Sequence, residues 1–178
     1  MIEYEVEIPK DVDVKIEGNY AIVKGKLGEL KWKFNLHQTT YEIKEGLLVL
    51  RKDSKRKADK AIVGSIASHV RNMIRGVTRG YEYKMKILYA HFPINASVEG
   101  RRVVIKNFAG EKKPRYAELH GDVKVDIKGQ DIVLKGLDRE EVGQTAANIE
   151  MATKIRKKDI RVFQDGIYIT SKDDKHGA

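Results

Sequence analysis

"EGNYAIVKGKLGEL" (residues 17–30) lies over "EGRRVVIKNFAGEK" (99–112) at an offset of 82, with Glu, Gly, Lys, Gly and Glu identical at five of fourteen positions. Likeness at a fixed internal spacing points to a duplicated unit, and the same order of blocks continues along the chain. "EIKEGLLVLR" (42–51) lies over "DIKGQDIVLK" (126–135) at 84, and "AIVGSIASHV" (61–70) over "EEVGQTAANI" (140–149) at 79. Drift of a few residues is what loop insertions leave behind. A unit of roughly 80 residues falls in the normal size range of a small domain.

Each copy reads alike. Ile2, Tyr4, Val6 and Ile8 alternate with glutamates; Val12, Val14 and Ile16 alternate with polar residues, as do Leu30, Trp32 and Phe34 with Lys31 and Lys33. Period two with one polar face predicts half-buried antiparallel strands. The period then changes: Ala58, Ile62, Ile66, Ala67, Val70, Met73 and Ile74 share one helical face. In the second copy Val123, Val125 and Ile127 alternate before "LDREEVGQTAANIEMATKI", which opens on an Asp cap and acids, then spaces Val142, Ala146, Ile149 and Ile155 helically. The fold class is α+β: two tandem duplicated small domains, each an antiparallel sheet with one helix packed on it. Pro93 and the strand-like run Tyr81–Tyr89 place the boundary near residue 90, giving domains 1–89 and 90–178.

The 178 residues, 41% of them hydrophobic, suffice for such cores, and a net charge of +9 favours polyanionic partners. The excess is uneven. Residues 51–89 hold 11 cations against 3 acids and 154–178 hold 7 against 4, whereas 90–153 are balanced at 10 each and 1–50 hold 7 against 9. The absence of cysteine excludes disulfides, thiolate metal sites and a cysteine nucleophile. "MIEYEVEIPKDVDV" (1–14) carries acids and a proline where a signal peptide needs cations and an apolar run. No stretch reaches the ~18 apolar residues that would span a bilayer. The expectation is a soluble cytoplasmic protein with no membrane partner.

Three cationic segments are candidate contacts. Arg71, Arg75 and Arg79 recur every four residues on the polar side of the first helix, with Lys55, Arg56, Lys57 and Lys60 leading into it. Guanidiniums so spaced can span backbone phosphates; the competing reading is a solvated face near a helix C-terminus, where the dipole favours cations anyway. Lys154, Arg156, Lys157, Lys158 and Arg161 cluster before Asp165-Gly166, a two-residue hairpin signal between Val162-Phe163 and Ile167-Tyr168-Ile169. A hairpin there would anchor the cluster and hold its charges at fixed spacing; a basic surface patch of no specific use is the alternative. "NFAGEKKPRYAE" (107–118) places Lys112, Lys113 and Arg115 beside Phe108 and Tyr116. These aromatics read first as core and only second as platforms for unpaired bases.

Catalytic patterns are missing. His37, His69, His91, His120 and His176 stand singly with no metal spacing, and there is no GxSxG, Walker or GxGxxG motif. The acids Asp122, Asp126, Asp131 and Asp138 do not fit a calcium loop. No enzyme activity, cofactor or metal is expected.

"RNMIRGVTRGY" (71–81) and "KKDIRVFQDGIYI" (157–169) resemble hallmark segments of the ribosomal large-subunit protein six family, numbered nine in eukaryotes. Arg161, Phe163, Asp165, Gly166 and Tyr168, as spaced here, are similar to the archaeal and eukaryotic branch, although Met151 stands where that branch is expected to carry Gln. The resemblance covers essentially the whole chain and implies a structural ribosomal protein that binds 23S-type large-subunit rRNA near the stalk base and the sarcin-ricin loop. Neighbouring ribosomal proteins and nearby translational GTPases are its implied partners, and the C-terminal domain its main RNA anchor. The competing reading is a basic module that binds an acidic, translation-related protein. The tail "SKDDKHGA" (171–178) is expected to be mobile.

Overall fold

A computed structural model describes residues 1–34, 39–44 and 46–172. The chain divides into two compact units, Met1–Gly80 and Tyr81–Ala178, each with its own hydrophobic core. In the first unit, β1 (Ile2–Glu7), β2 (Asp13–Glu17), β3 (Tyr20–Lys24), β4 (Glu29–Lys33), β5 (Thr40–Lys44) and β6 (Leu47–Lys52) precede α1 (Lys57–Arg79). The second runs β7 (Tyr81–Leu88), β8 (Asn95–Glu99), β9 (Arg102–Lys106), β10 (Arg115–Glu118), β11 (Lys124–Lys128), β12 (Asp131–Gly136), α2 (Arg139–Ala152) and β13 (Gly166–Lys172). The α+β duplication expected from the repeat is present, with one refinement. Alternation marks strands without saying which share a sheet, and among the described residues each unit has two small antiparallel sheets, not one.

Those sheets are ordered β1-β6-β5 and β2-β3-β4 in the first unit, and β11-β12-β7-β13 and β10-β9-β8 in the second. The repeat that opens the sequence maps onto the hairpins β2-β3 and β8-β9, whose strands begin and end 82 residues apart. Gly18 (φ 58°) and Gly100 (φ 62°) take the first position of the two turns, where a side chain would be strained and the mirror-image hairpin geometry is needed.

The helices obey the offset of 79. Val63, Ala67 and Val70 on α1 are buried as Val142, Ala146 and Ile149 are on α2, and each helix packs across strands of both sheets in its unit. On α1, Val63 and Val77 complete the buried stripe while Ala58 is exposed; the expected face was one position out of phase at its start. Asp138 caps α2 as expected, its carboxylate accepting the Glu140 N–H at 2.8 Å. The helix ends at Ala152, so Ile155 joins the second core from the loop beyond it.

The boundary also differs from the expected one near residue 90. Tyr81–Leu88 is strand β7, hydrogen-bonded between β12 and β13 in the middle of the second unit's larger sheet. Its inward row, Tyr81, Tyr83, Met85 and Ile87, is buried in the second core.

The loop after β3 rests directly on the last turns of α1. Leu27 N–H donates to the Val77 carbonyl at 3.0 Å, and a Cβ added at Gly25 would lie 2.6 Å from Val77 Cγ2 and 2.9 Å from the Val77 carbonyl oxygen. A backbone oxygen cannot step aside as a flexible side chain can. Gly25→Ala should destabilise the first unit by about 1–3 kcal/mol. Urea denaturation followed by Trp32, the chain's single tryptophan, checks this, because that fluorophore reports the first unit.

Candidate nucleic-acid interface

The segment from Thr153 to Asp165 is a loop clamped at both ends. Thr153, buried at the C-cap of α2, accepts the Ile167 N–H on its hydroxyl at 3.0 Å and directs the same hydroxyl to the Glu150 carbonyl at 3.2 Å. At the other end the carboxylate of buried Asp165 accepts the Ala90 N–H at 3.2 Å. Gly166 and Ile167 then start β13, opposite Leu88 and Ile87 of β7.

No hairpin forms at Asp165-Gly166. Gly166 is a strand residue outside the left-handed region, and Val162-Phe163 is not a strand. The local Asp-Gly signal is overridden because β7 supplies an eight-residue edge for the following segment to pair with. The anchoring inferred for the cationic cluster is therefore present, and a different device provides it.

Within the loop, Asp159 organises the turn. Its carboxylate accepts from the Arg161 backbone N–H at 2.9 Å and from the guanidinium at 3.2 and 3.1 Å, while its carbonyl accepts the Val162 and Phe163 N–H groups. The side-chain bond from Arg161, supported by the backbone one, holds its carboxyl below the usual range. Lys157 sits in the left-handed region (φ 61°) and Lys158 places its ammonium 4.6 Å above the Phe163 ring. Lys154, Arg156, Lys157, Lys158 and Arg161 are all exposed, the Arg161 side chain at 87%. Ile160 and Val162, 70% and 67% exposed, lie among them.

Arg115 joins this loop to the one before β10, but from the inside. Its guanidinium grips Glu111 at 2.6 and 2.8 Å, donates to the Ala152 and Lys154 carbonyls at 2.9 and 3.3 Å, and stacks 4.2 Å from the Phe108 ring. It therefore closes the C-terminal end of α2, with four of its five N–H donors engaged within the protein. Lys112 and Lys113 are exposed beside it. Phe108 is core, as expected; Tyr116 is half-exposed, with the Arg102 guanidinium 4.6 Å over its ring.

The first-unit cations do not form one free ladder. Arg71 reaches the Glu5 carbonyl at 3.4 Å, Arg75 is half-buried and engaged, and Arg79 is exposed in the last turn. Lys55 and Arg56 are exposed at the start of α1, where Asp59 is occupied by Lys52 at 2.7 Å and Ser54 at 2.6 Å. Of the histidines, His69 stacks on Trp32 at 4.2 Å, His91 and His120 are exposed, and His37 and His176 lie outside the described residues, as does most of the tail. Among the described residues no three His, Asp or Glu side chains come together to hold a metal. Sequence reading missed Thr153 as a positioning residue and gave Asp165 the wrong task, because a clamp between residues 14 apart leaves no local pattern.

Removing the Thr153 hydroxyl leaves a buried N–H at Ile167 unpaired. Thr153→Val should cost about 1–3 kcal/mol and speed hydrogen exchange at Ile167 selectively. A second test uses pH. The Arg115 hydrogen bond, with its charge, lowers the Glu111 carboxyl from 4.5 against the opposing effect of burial. The pair therefore stabilises the fold fully above about pH 4.5 and is lost as pH falls through the lower folded value. Glu111→Gln should be less stable than wild type at pH 7, and in urea melts the difference should shrink as the pH is lowered through the depressed folded value.

The chain matches the family model described as ribosomal protein L6 twice, over residues 8–80 and 92–166. It is similar to the large ribosomal subunit protein uL6 of Methanosarcina mazei, 48% identical over 167 residues that cover 94% of this chain and 95% of that one. The uL6 of Archaeoglobus fulgidus is 48% identical over 96% of this chain and 89% of its own. That of Methanosphaera stadtmanae is 50% identical over 94% and 91%. Two tandem matches on the two folded units, with near full-length relatives at this identity, place the chain in the ribosomal protein L6 family.

Proposed function

We propose that this protein is a structural component of the large ribosomal subunit that holds folded rRNA through its C-terminal unit. The observation that carries the reading is the clamped loop 154–165. Five exposed cations, Lys154, Arg156, Lys157, Lys158 and Arg161, stand on a backbone pinned at Thr153 and Asp165. Charges already held in place lose little conformational freedom on binding, so each phosphate contact contributes more. Lys112 and Lys113 extend the surface, and Ile160 and Val162 stand exposed among the cations. Arg115 supports the loop from within, whereas Lys55, Arg56, Arg71, Arg75 and Arg79 form a separate and weaker candidate surface on the first unit.

The large-subunit names of its relatives support the partner class. The likeness of "KKDIRVFQDGIYI" to the family's hallmark segment supports a position near the stalk base and sarcin-ricin loop, beside other ribosomal proteins and within reach of translational GTPases. Recognition by shape and phosphate charge requires no chemistry from the chain.

Sedimentation with large subunits through a sucrose gradient tests this, comparing wild type with a variant in which Arg156, Lys157, Lys158 and Arg161 become Ala. Wild type should travel with the subunit, and the variant should remain folded at the top. Nuclease should abolish the association, and four phosphate contacts should give a log-log salt slope of about −3 to −4. Survival of binding after nuclease would instead mark a protein partner.

A further inference from the structure

The duplication contains its own comparison. Strands β1 and β7 are counterparts: Tyr4 pairs with Leu50 and Tyr83 with Leu134, and the two tyrosines lie over Gly64 and Gly143 respectively. In the second unit β7 is flanked on both sides, by β12 and by β13. In the first, β1 is the end strand of β1-β6-β5 among the described residues. The consequence is visible in burial. Tyr81, Tyr83, Met85 and Ile87 of β7 are buried, whereas on β1 Val6 is buried and Ile2, Tyr4 and the adjacent Ile8 are left half-exposed against the core.

We infer that the free edge of β1 is a docking site for an extended, cationic polypeptide segment that adds a strand antiparallel to Ile2–Glu7. The fold shows that this position accepts a strand, because β13 occupies its equivalent and buries Ile167 against the core while Tyr168 stays outside. Charge selects the occupant. Glu3, Glu5 and Glu7 form an acidic row on the outer face of an otherwise basic protein, with Glu3 held by Arg51 at 3.0 Å. A fourth strand carrying Lys or Arg on that face and β-branched residues inward would meet opposite charges across the pair.

The same row argues against the other occupants. Two copies paired through β1 would bring glutamates face to face, and RNA would bring phosphates to them. The cations at the start of α1, Lys55, Arg56, Lys57 and Lys60, line a groove of about 580 Å³ with Ile2, Glu3 and Tyr4. They lie on the helix side, so the inward row of the segment should be apolar. Arg71 covers the Glu5 carbonyl at 3.4 Å, a long bond that an incoming backbone N–H can replace.

The probe is a nine-residue peptide alternating Lys with Val and Thr, with a control in which Glu replaces every Lys, titrated into the full isotope-labelled chain. The amide signals of Ile2–Glu7 should shift with the Lys peptide, and their edge-facing amides should exchange at least tenfold more slowly. A variant with Glu3, Glu5 and Glu7 changed to Gln should bind about tenfold more weakly, as three cross-strand charge pairs require. The inference is overturned if millimolar Lys peptide leaves those amides unchanged, or if the Glu peptide or the Gln variant binds equally well. It is also overturned if the same amides become protected by self-association, or respond instead to an RNA hairpin. The sedimentation test of the C-terminal loop is independent of each of these outcomes.

Discussion

In each unit a single helix must bury one stripe of small and branched side chains against two sheets three or four strands wide. Val63, Ala67 and Val70 do so on α1; Val142, Ala146 and Ile149 do so on α2. Ala at the centre of both stripes lets the helix backbone sit close to the strands, and the flanking residues fill the space to either side. The direction of the helix fixes where its C-terminal end lies. In the second unit that end is where Thr153 meets the first residues of β13.

The candidate RNA surface is a consequence of that packing. A cationic loop of a dozen residues would be expensive to order on its own, since like charges repel and long side chains lose rotamer freedom. Here both ends are held by buried groups, the interior is turned by Asp159, and Arg115 supports it from below. The carboxylates involved, Glu111 and Asp159, are both held below their usual range by the hydrogen bonds they accept from Arg115 and Arg161. They remain anionic at neutral pH without neutralising the outward-facing lysines and Arg156.

Duplication has been put to different ends in the two copies. The second unit completes its larger sheet with β13, and the connection leading to that strand carries the basic cluster. In the first unit the chain leaves α1 through Gly80 and enters β7, and among the described residues no strand returns to β1. One copy thus gains a loaded loop and a closed edge, and the other keeps an open edge marked by three glutamates.

Strand alternation, helix periodicity, the repeat and the positions of the charge blocks were legible in the sequence. Each is a one-dimensional consequence of backbone geometry, period two for strands and 3.6 for helices. The N-cap at Asp138 was of the same kind, settled by a few adjacent residues. Tertiary structure decided the rest. Asp165-Gly166 carries a hairpin signal, yet it became the entry to a sheet strand because an edge of β7, distant in sequence, was free to pair. Arg115 looked like its exposed neighbours and proved to be a half-buried clamp, since only the packed chain brings Glu111, Ala152 and Phe108 around it. Local pattern fixes what an element is. Which edge it meets, and which charges remain for a partner, depend on contacts between residues far apart in the chain, and those leave no periodic trace.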